Sequence, residues 1–491
     1  MVADASEPSS GVVIPDTEGV RSTSALGRAV VADALRSVDP VGASAAESAT
    51  VWRRDYLVHF RRLVEAGLLS RDAALAIARD GLASLHRRMR FATRDGELAV
   101  AEAFSVDPAG DPLATAAVRG AGTVQREFVL PYRGARLRGA DLNRQLDRWV
   151  AAGVVEPSCA EAVRLVVDHP QWLDLSDQRV VVLGAGAEMG PLTALLRWGA
   201  DVVAVDLPRP ALWQRLIATA NRYAGRLHMP VVGHDAGADL DRRVGVDLVH
   251  DLRRIAGWLA GLDGPLVLGN YVYADGVSNV RVAMAVDALT QHLLAERADI
   301  ALAFLATPTD VFAVPADAVD EANRRYAMRS GIGRIRRPLQ ALSGGRLLVR
   351  NYPPGANPGI NDSLVPQQGP NYALAKRLQR WRATVVREAG TTVSLTVAPA
   401  TRTRSVMKNR LLAAAFAGAH RFGIEVFEPA TSNTLMAALL VHQLRATPPA
   451  QPHPWQDEAY AAAHGGLWRQ PYAPRSALGL AVVLGIGATR G

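Results

Sequence analysis

The chain has 491 residues, 49% hydrophobic and 21% charged, the profile of a folded globular protein large enough for more than one structural unit. Its net charge of +8 is carried almost wholly by arginine, since Lys376 and Lys408 are the only lysines; no basic stripe interleaved with aromatics predicts nucleic-acid binding. Cys159 stands alone, which excludes an intrachain disulfide and a cysteine metal cage, and no metal site is expected.

The start, MVADASEPSSG, lacks the basic and apolar parts of a signal peptide. No run reaches the roughly 18 apolar residues of a membrane span, so the expectation is a cytoplasmic protein without an integral membrane segment. Residues 1–24, rich in Ser, Gly, Asp, Glu and Pro, read as a disordered leader. Apolar residues at three and four spacing then predict helices from 24 to 91 and again from 141 to 167, so residues 25–175 read as a mostly helical N-terminal domain.

From residue 176 the pattern changes. Apolar runs at 180–183, 202–205, 229–233, 265–268, 300–305 and 392–398 alternate with amphipathic helical stretches. Short apolar runs suit strands buried on both faces, and their alternation with helices predicts an α/β fold with a doubly wound parallel sheet, Rossmann-like, over residues 176–445. Residues 315–366 interrupt it with a Gly-, Pro- and Arg-rich insertion. Residues 446–491 read as an irregular tail.

The first run leads into a turn from Gly184 to Gly190, with Gly186, Glu188 and Met189 between, then a helix, a second run and Asp206. Glycines let a backbone approach a pyrophosphate at a helix start, and a carboxylate at the second strand tip is placed for ribose hydroxyls. Asp206, Asp235, Asn270 and Thr307 all fall just beyond strand ends, where such sheets bind ligands. Tyr372 and Lys376 stand at i and i+4, on one face of a helix, where an ammonium would lower a phenol's pKa and fit it for acid/base work.

In order and spacing these parts resemble the short-chain dehydrogenase/reductase family over about residues 178–445. The resemblance implies a nucleotide cofactor, NAD or NADP, with Asp206 favouring NAD. It implies Tyr372 as catalytic acid/base, Lys376 as its ribose-binding partner, Thr307 or Thr309 as the hydroxyl donor and Asn279 as the fourth member. Asp235 would meet adenine, Asn270 would line the cofactor, and Pro399 and Thr403 would lie near the nicotinamide carboxamide. Glu188 replaces a family glycine, and 65 residues separate Thr307 from Tyr372 where the family has about a dozen. The expected activity is hydride exchange with a small carbonyl or alcohol substrate, acidic or phosphate-bearing given the arginines of 315–366. No nucleic-acid partner is expected, and a homo-oligomer is left open. An S-adenosylmethionine-dependent methyltransferase and a non-catalytic nucleotide-binding protein are the alternative readings.

Overall fold

The computed structural model describes residues 11–486 apart from 18, 106–109, 234–238, 329–330 and 447. Its centre is a seven-stranded sheet: β1 (Ala114–Arg119), β2 (Arg179–Leu183), β3 (Asp201–Val205), β4 (Arg226–Val231), β5 (Leu266–Asn270), β6 (Ile300–Ala306) and β7 (Val393–Val397). The spatial order is β7-β6-β5-β2-β3-β4-β1. All neighbours are parallel except β1, which adds antiparallel to β4 at one edge. Numbered along the chain, the six parallel strands lie 3-2-1-4-5-6, the order of dinucleotide-binding doubly wound sheets. The chain reverses direction across the sheet between β2 and β5.

The period of two explains why the strands read as unbroken apolar runs. Val181, Leu183, Val203, Val205, Leu268 and Phe304 enter one core, while Val180, Val182, Val202, Ala204, Val267 and Leu305 enter the other. Each fully buried Val or Leu is worth roughly 1.5–3 kcal/mol, so both faces must be roofed by helices. One roof holds α1 (Thr23–Arg36), α2 (Trp52–Gly67), α3 (Arg71–Arg88), α6 (Val277–Glu296) and α7 (Pro370–Glu388). The other holds α4 (Leu192–Trp198), α5 (Pro210–Arg222) and α9 (Pro429–Arg445), with helices Gly139–Ala151 and Pro157–Asp168. Between β6 and α7 the chain leaves the sheet, and α8 (Arg410–Gly418) and α10 (Pro474–Ile486) follow β7.

Three expectations are corrected. The N-terminal helices form as predicted, but Val30, Leu35, Trp52, Phe60 and Leu85 share one continuous core with the sheet, and β1 extends it, so residues 25–175 are built into the α/β unit. Within the expected leader, Gly11–Val13 is a strand paired with Arg90–Thr93, and Val12 and Ile14 are fully buried; four consecutive apolar residues outweigh the polar composition around them. Residues 1–10 lie outside the described residues. The tail is likewise structured: α10 packs on α8, and Trp468 is wholly buried. The insertion is anchored by an antiparallel pair, Val311–Val314 with Gly359–Asp362, and carries helix Ala316–Ala327.

Candidate functional site

The candidate site lies at the carboxyl ends of β2 and β5, where the strand order reverses. Gly184 has φ +83°, and a Cβ there would come within 3.0 Å of the Tyr271 carbonyl, so only glycine lets the end of β2 lie against the chain leaving β5. Gly184 and Ala185 N–H both donate to Val205 O, Ala187 N–H to Gly184 O and Gly190 N–H to Ala187 O. Among the described residues, the N–H groups of Glu188, Met189, Leu192, Thr193 and Ala194 have no protein acceptor. Met189 itself packs, half-buried, against the core on that side.

Asp206 pins the turn. Its Oδ2 accepts from Gly186 N–H at 2.7 Å and its Oδ1 from Leu207 N–H at 2.8 Å. Burial raises its pKa, and those two bonds oppose the rise. An ionised carboxylate has about four acceptor sites, so two remain open to further donors. Glu188 reaches the segment after β7: Oε2 accepts from Arg404 N–H at 2.7 Å and Oε1 from Arg404 Nε at 2.8 Å. This ties the glycine-rich turn to the segment after β7. Thr403 lies one residue before that tie, its hydroxyl bonded to Ser405, while Pro399 O accepts from Thr401 Oγ1. Free N–H groups and spare acceptor sites on Asp206 suit the phosphate and ribose of a nucleotide.

Along the same edge, the Thr307 hydroxyl is 2.7 Å from the Tyr372 phenol. The 65-residue excursion returns in space, because α7 packs beside β6 and carries Tyr372 back to the β6 end. Thr309 sits beside them, its hydroxyl and carbonyl both accepting from Gln368 Nε2, at 2.9 and 2.8 Å. Tyr273 stands edge-on to Tyr372, ring centroids 6.2 Å apart, and its hydroxyl donates to Asp275.

Lys376 is not the phenol's partner in this structure. No hydrogen bond joins them among the described contacts. Helical spacing puts both on one face, but the ammonium turns to Leu305 O and Gln379 Oε1, each at 3.2 Å, and Gln379 Nε2 donates to Asn270 Oδ1 at 3.2 Å. Desolvation pushes the Lys376 pKa down to about 8. The Tyr372 phenol, expected to be lowered, is instead raised by burial, against the Thr307 hydrogen bond. It therefore holds its proton at neutral pH.

No described contact joins Asn279 to this group: buried in the first turn of α6, it accepts from Ala274 N–H at 3.2 Å and fixes the loop after β5. Asp235 lies outside the described residues. No described contact links the arginines of 315–366 to Thr307 or Tyr372. Sequence reasoning passed over Asp310, buried next to Thr309, which pairs with Arg377 at 3.3 Å and Arg380 at 2.8 Å. The signal was present as three arginines, 377, 380 and 382, on the helix that carries Tyr372, where a lone amphipathic helix would expose them. The pairing of Glu188 with Arg404 and the place of Gln379 were not legible, because the partners are too distant in sequence for spacing to reveal.

No known protein family, curated protein or solved structure matches this chain.

Proposed function

We propose that the protein is an NAD(P)-dependent oxidoreductase that reduces a carbonyl compound, with Tyr372 as proton donor. The observation that carries this reading is the 2.7 Å contact between the Thr307 hydroxyl and the Tyr372 phenol at the carboxyl edge of a sheet ordered 3-2-1-4-5-6. A nicotinamide cofactor supplies hydride when bound. The chain's residues do the rest. The N–H groups of Glu188 and Met189 receive phosphate, and the spare acceptor sites of Asp206 receive ribose hydroxyls. A carboxylate there opposes a 2′-phosphate, which favours NAD(H).

Thr307 and Tyr372 present two hydroxyls to one acceptor, the substrate's carbonyl oxygen. The raised phenol pKa keeps Tyr372 a donor, which suits reduction, where oxygen gains a proton as charge develops on it. Lys376 lies one turn deeper and holds a positive charge below pH 8, through which it stabilises negative charge at the edge of the site.

The test has two parts. Titration with NADH, NADPH and S-adenosylmethionine, followed by calorimetry, is expected to give saturable binding of a nicotinamide nucleotide and none of S-adenosylmethionine; the reverse result overturns the reading. In a screen of carbonyl compounds with NADH, Tyr372→Phe is expected to lower kcat by roughly 100- to 10,000-fold while nucleotide binding is kept. Unchanged turnover in that variant removes Tyr372 from the mechanism.

A further inference from the structure

Three stretches of the chain contain no acidic residue at all: 322–361, 389–424 and 459–491. Together they carry 16 of the 55 basic residues and none of the 47 acidic ones, so the remainder of the chain has 39 basic against 47 acidic residues. The three stretches are far apart in sequence, yet they meet. Leu348, Phe422, Tyr472, Ala477 and Ala481 form a small core of their own, with Tyr326, Ile332, Leu339 and Leu480 against it. Backbone bonds stitch it together: Leu348 N–H donates to Ser476 O, Ala473 N–H to Val349 O and Asn351 N–H to Pro471 O. The lobe built on this core thus draws its chain from stretches without a single acidic residue, while the remainder of the chain is net negative.

Many of these charges lack a protein partner. Arg334, Arg337, Arg346, Lys408, Arg410 and Arg421 are exposed and form no ion pair among the described residues. The lobe also exposes aliphatic side chains: Leu342 at 86%, Val483 at 66%, Leu411 at 59% and Met328 at 58%. For Leu411 and Val483 the packing of α8 on α10 accounts for the exposure. A Cβ at Gly418 would lie 2.0 Å from Ala481 O and one at Gly485 1.8 Å from Ala414 O, so the two helices touch through their smallest residues. Their larger apolar residues are left facing outward.

We infer that this lobe is a docking surface for an anionic lipid membrane. Cations beside exposed aliphatic side chains match an interface of phosphate headgroups over acyl chains. Nucleic acid is the less suitable occupant, because its bases need aromatic platforms, and Phe422 and Tyr472 are turned inward. The association is at the surface: among the described residues no helix is long and apolar enough to cross a membrane.

The full chain should be sedimented with vesicles of phosphatidylcholine alone and of phosphatidylcholine mixed with phosphatidylglycerol. Binding is expected only to the mixed vesicles and is expected to weaken with salt. Arg334→Gln, Arg337→Gln and Arg346→Gln combined should weaken it, by roughly fivefold per residue. Leu342→Asp with Val483→Asp should weaken it too; all five positions are exposed, and unchanged melting curves verify folding. The inference is overturned by absence of binding to mixed vesicles, by equal binding to neutral ones, or by binding that both variants leave unchanged. A salt-sensitive complex with single-stranded nucleic acid, or self-association abolished by Leu342→Asp, in place of vesicle binding also overturns it.

Discussion

At the scale of the single residue, Lys376 shows how far burial can set chemistry. Its ammonium has two neutral acceptors and, among the described residues, no carboxylate at hydrogen-bonding distance, so desolvation dominates and the pKa falls to about 8. The unfolded lysine keeps its proton to about pH 10.4, so holding the charge in the folded chain costs stability below pH 8, and that cost fades as pH rises through the window above it. Lys376→Met is therefore expected to raise the stability of the nucleotide-free protein at pH 7, on the order of 2 kcal/mol, measured by denaturant titration. The same variant should lose nucleotide affinity, and in the unaltered protein affinity should fall as pH rises through about 8. Lys376→Arg should carry the fall to higher pH. A variant that binds NADH as well as the parent would remove Lys376 from the cofactor site. Glu188 belongs to this scale as well. It looked out of place in a glycine-rich turn, and its carboxylate proves to be what holds Arg404, in the segment after β7.

At the scale of the element, α7 is the helix on which the site depends, and it is fixed by buried charge. Arg382 donates to Asp287 through Nε at 2.8 Å and a terminal nitrogen at 2.7 Å, and His86 Nε2 lies 2.7 Å from the same carboxylate. Asp287 is on α6 and His86 on α3, so one carboxylate joins three helices. Asp287→Ala leaves Arg382 buried without a counter-charge, a change worth roughly 3–5 kcal/mol. Pairing it with a second change, Asp287→Leu with Arg382→Met, should recover most of that loss, since a buried ion pair repays little beyond its own desolvation. Calorimetric melts of the three proteins decide it; equal melts for the single variant and the parent would contradict this account.

Elements of this kind were legible in the sequence only in part. The six apolar runs fell on the six parallel strands because burial on both faces leaves an unbroken apolar signature. Gly184, Asp206, Thr307 and Tyr372 could be set at strand and helix ends by order alone. The edge strand β1 was not legible, since its sequence ATAAVR alternates only weakly and its place depends on pairing with β4. Neither was the direction of the Lys376 side chain. Helical spacing decides which residues share a face, whereas the acceptors that capture an ammonium, here Leu305 O and Gln379, come from tertiary packing.

At the scale of the whole molecule, the segments that looked peripheral are joined by one buried cluster. Glu156 comes from the N-terminal region, His464 and Arg469 from the tail, and Asp317 and Glu321 from the insertion. Glu156 Oε2 accepts from Arg469 at 2.6 Å and Oε1 from His464 Nε2 at 2.8 Å, while His464 Nδ1 accepts from Gly466 N–H. That last bond requires Nδ1 to be unprotonated, so His464 is neutral and the charge opposite Glu156 is the arginine's. Burial holds His464 below the usual histidine range in agreement with this, and against the burial of Glu156 itself the hydrogen bonds from His464 and Arg469 hold its carboxyl down at about 2.

Both shifts act in the same direction. A carboxyl depressed in the folded state stabilises above its unfolded pKa, and that stability is lost as pH falls toward 2; a histidine kept neutral loses stability as pH falls below about 6.5. Stability should thus decline on acidification in two stages, a shallow one below about pH 6.5 and a steeper one below about pH 4.5. Glu156→Gln should cost roughly 3 kcal/mol at pH 7 and reduce the lower stage, which Glu156 shares with depressed carboxylates such as Asp287 and Asp310. His464→Gln should reduce only the upper stage, which His464 shares with other buried histidines such as His228 and His442. Denaturant titrations from pH 7 to pH 3 measure both. If the tail were an appendage, neither substitution would move the global unfolding transition. If the cluster closes the N-terminal region, insertion and tail on one core, each shifts the single transition of the entire chain.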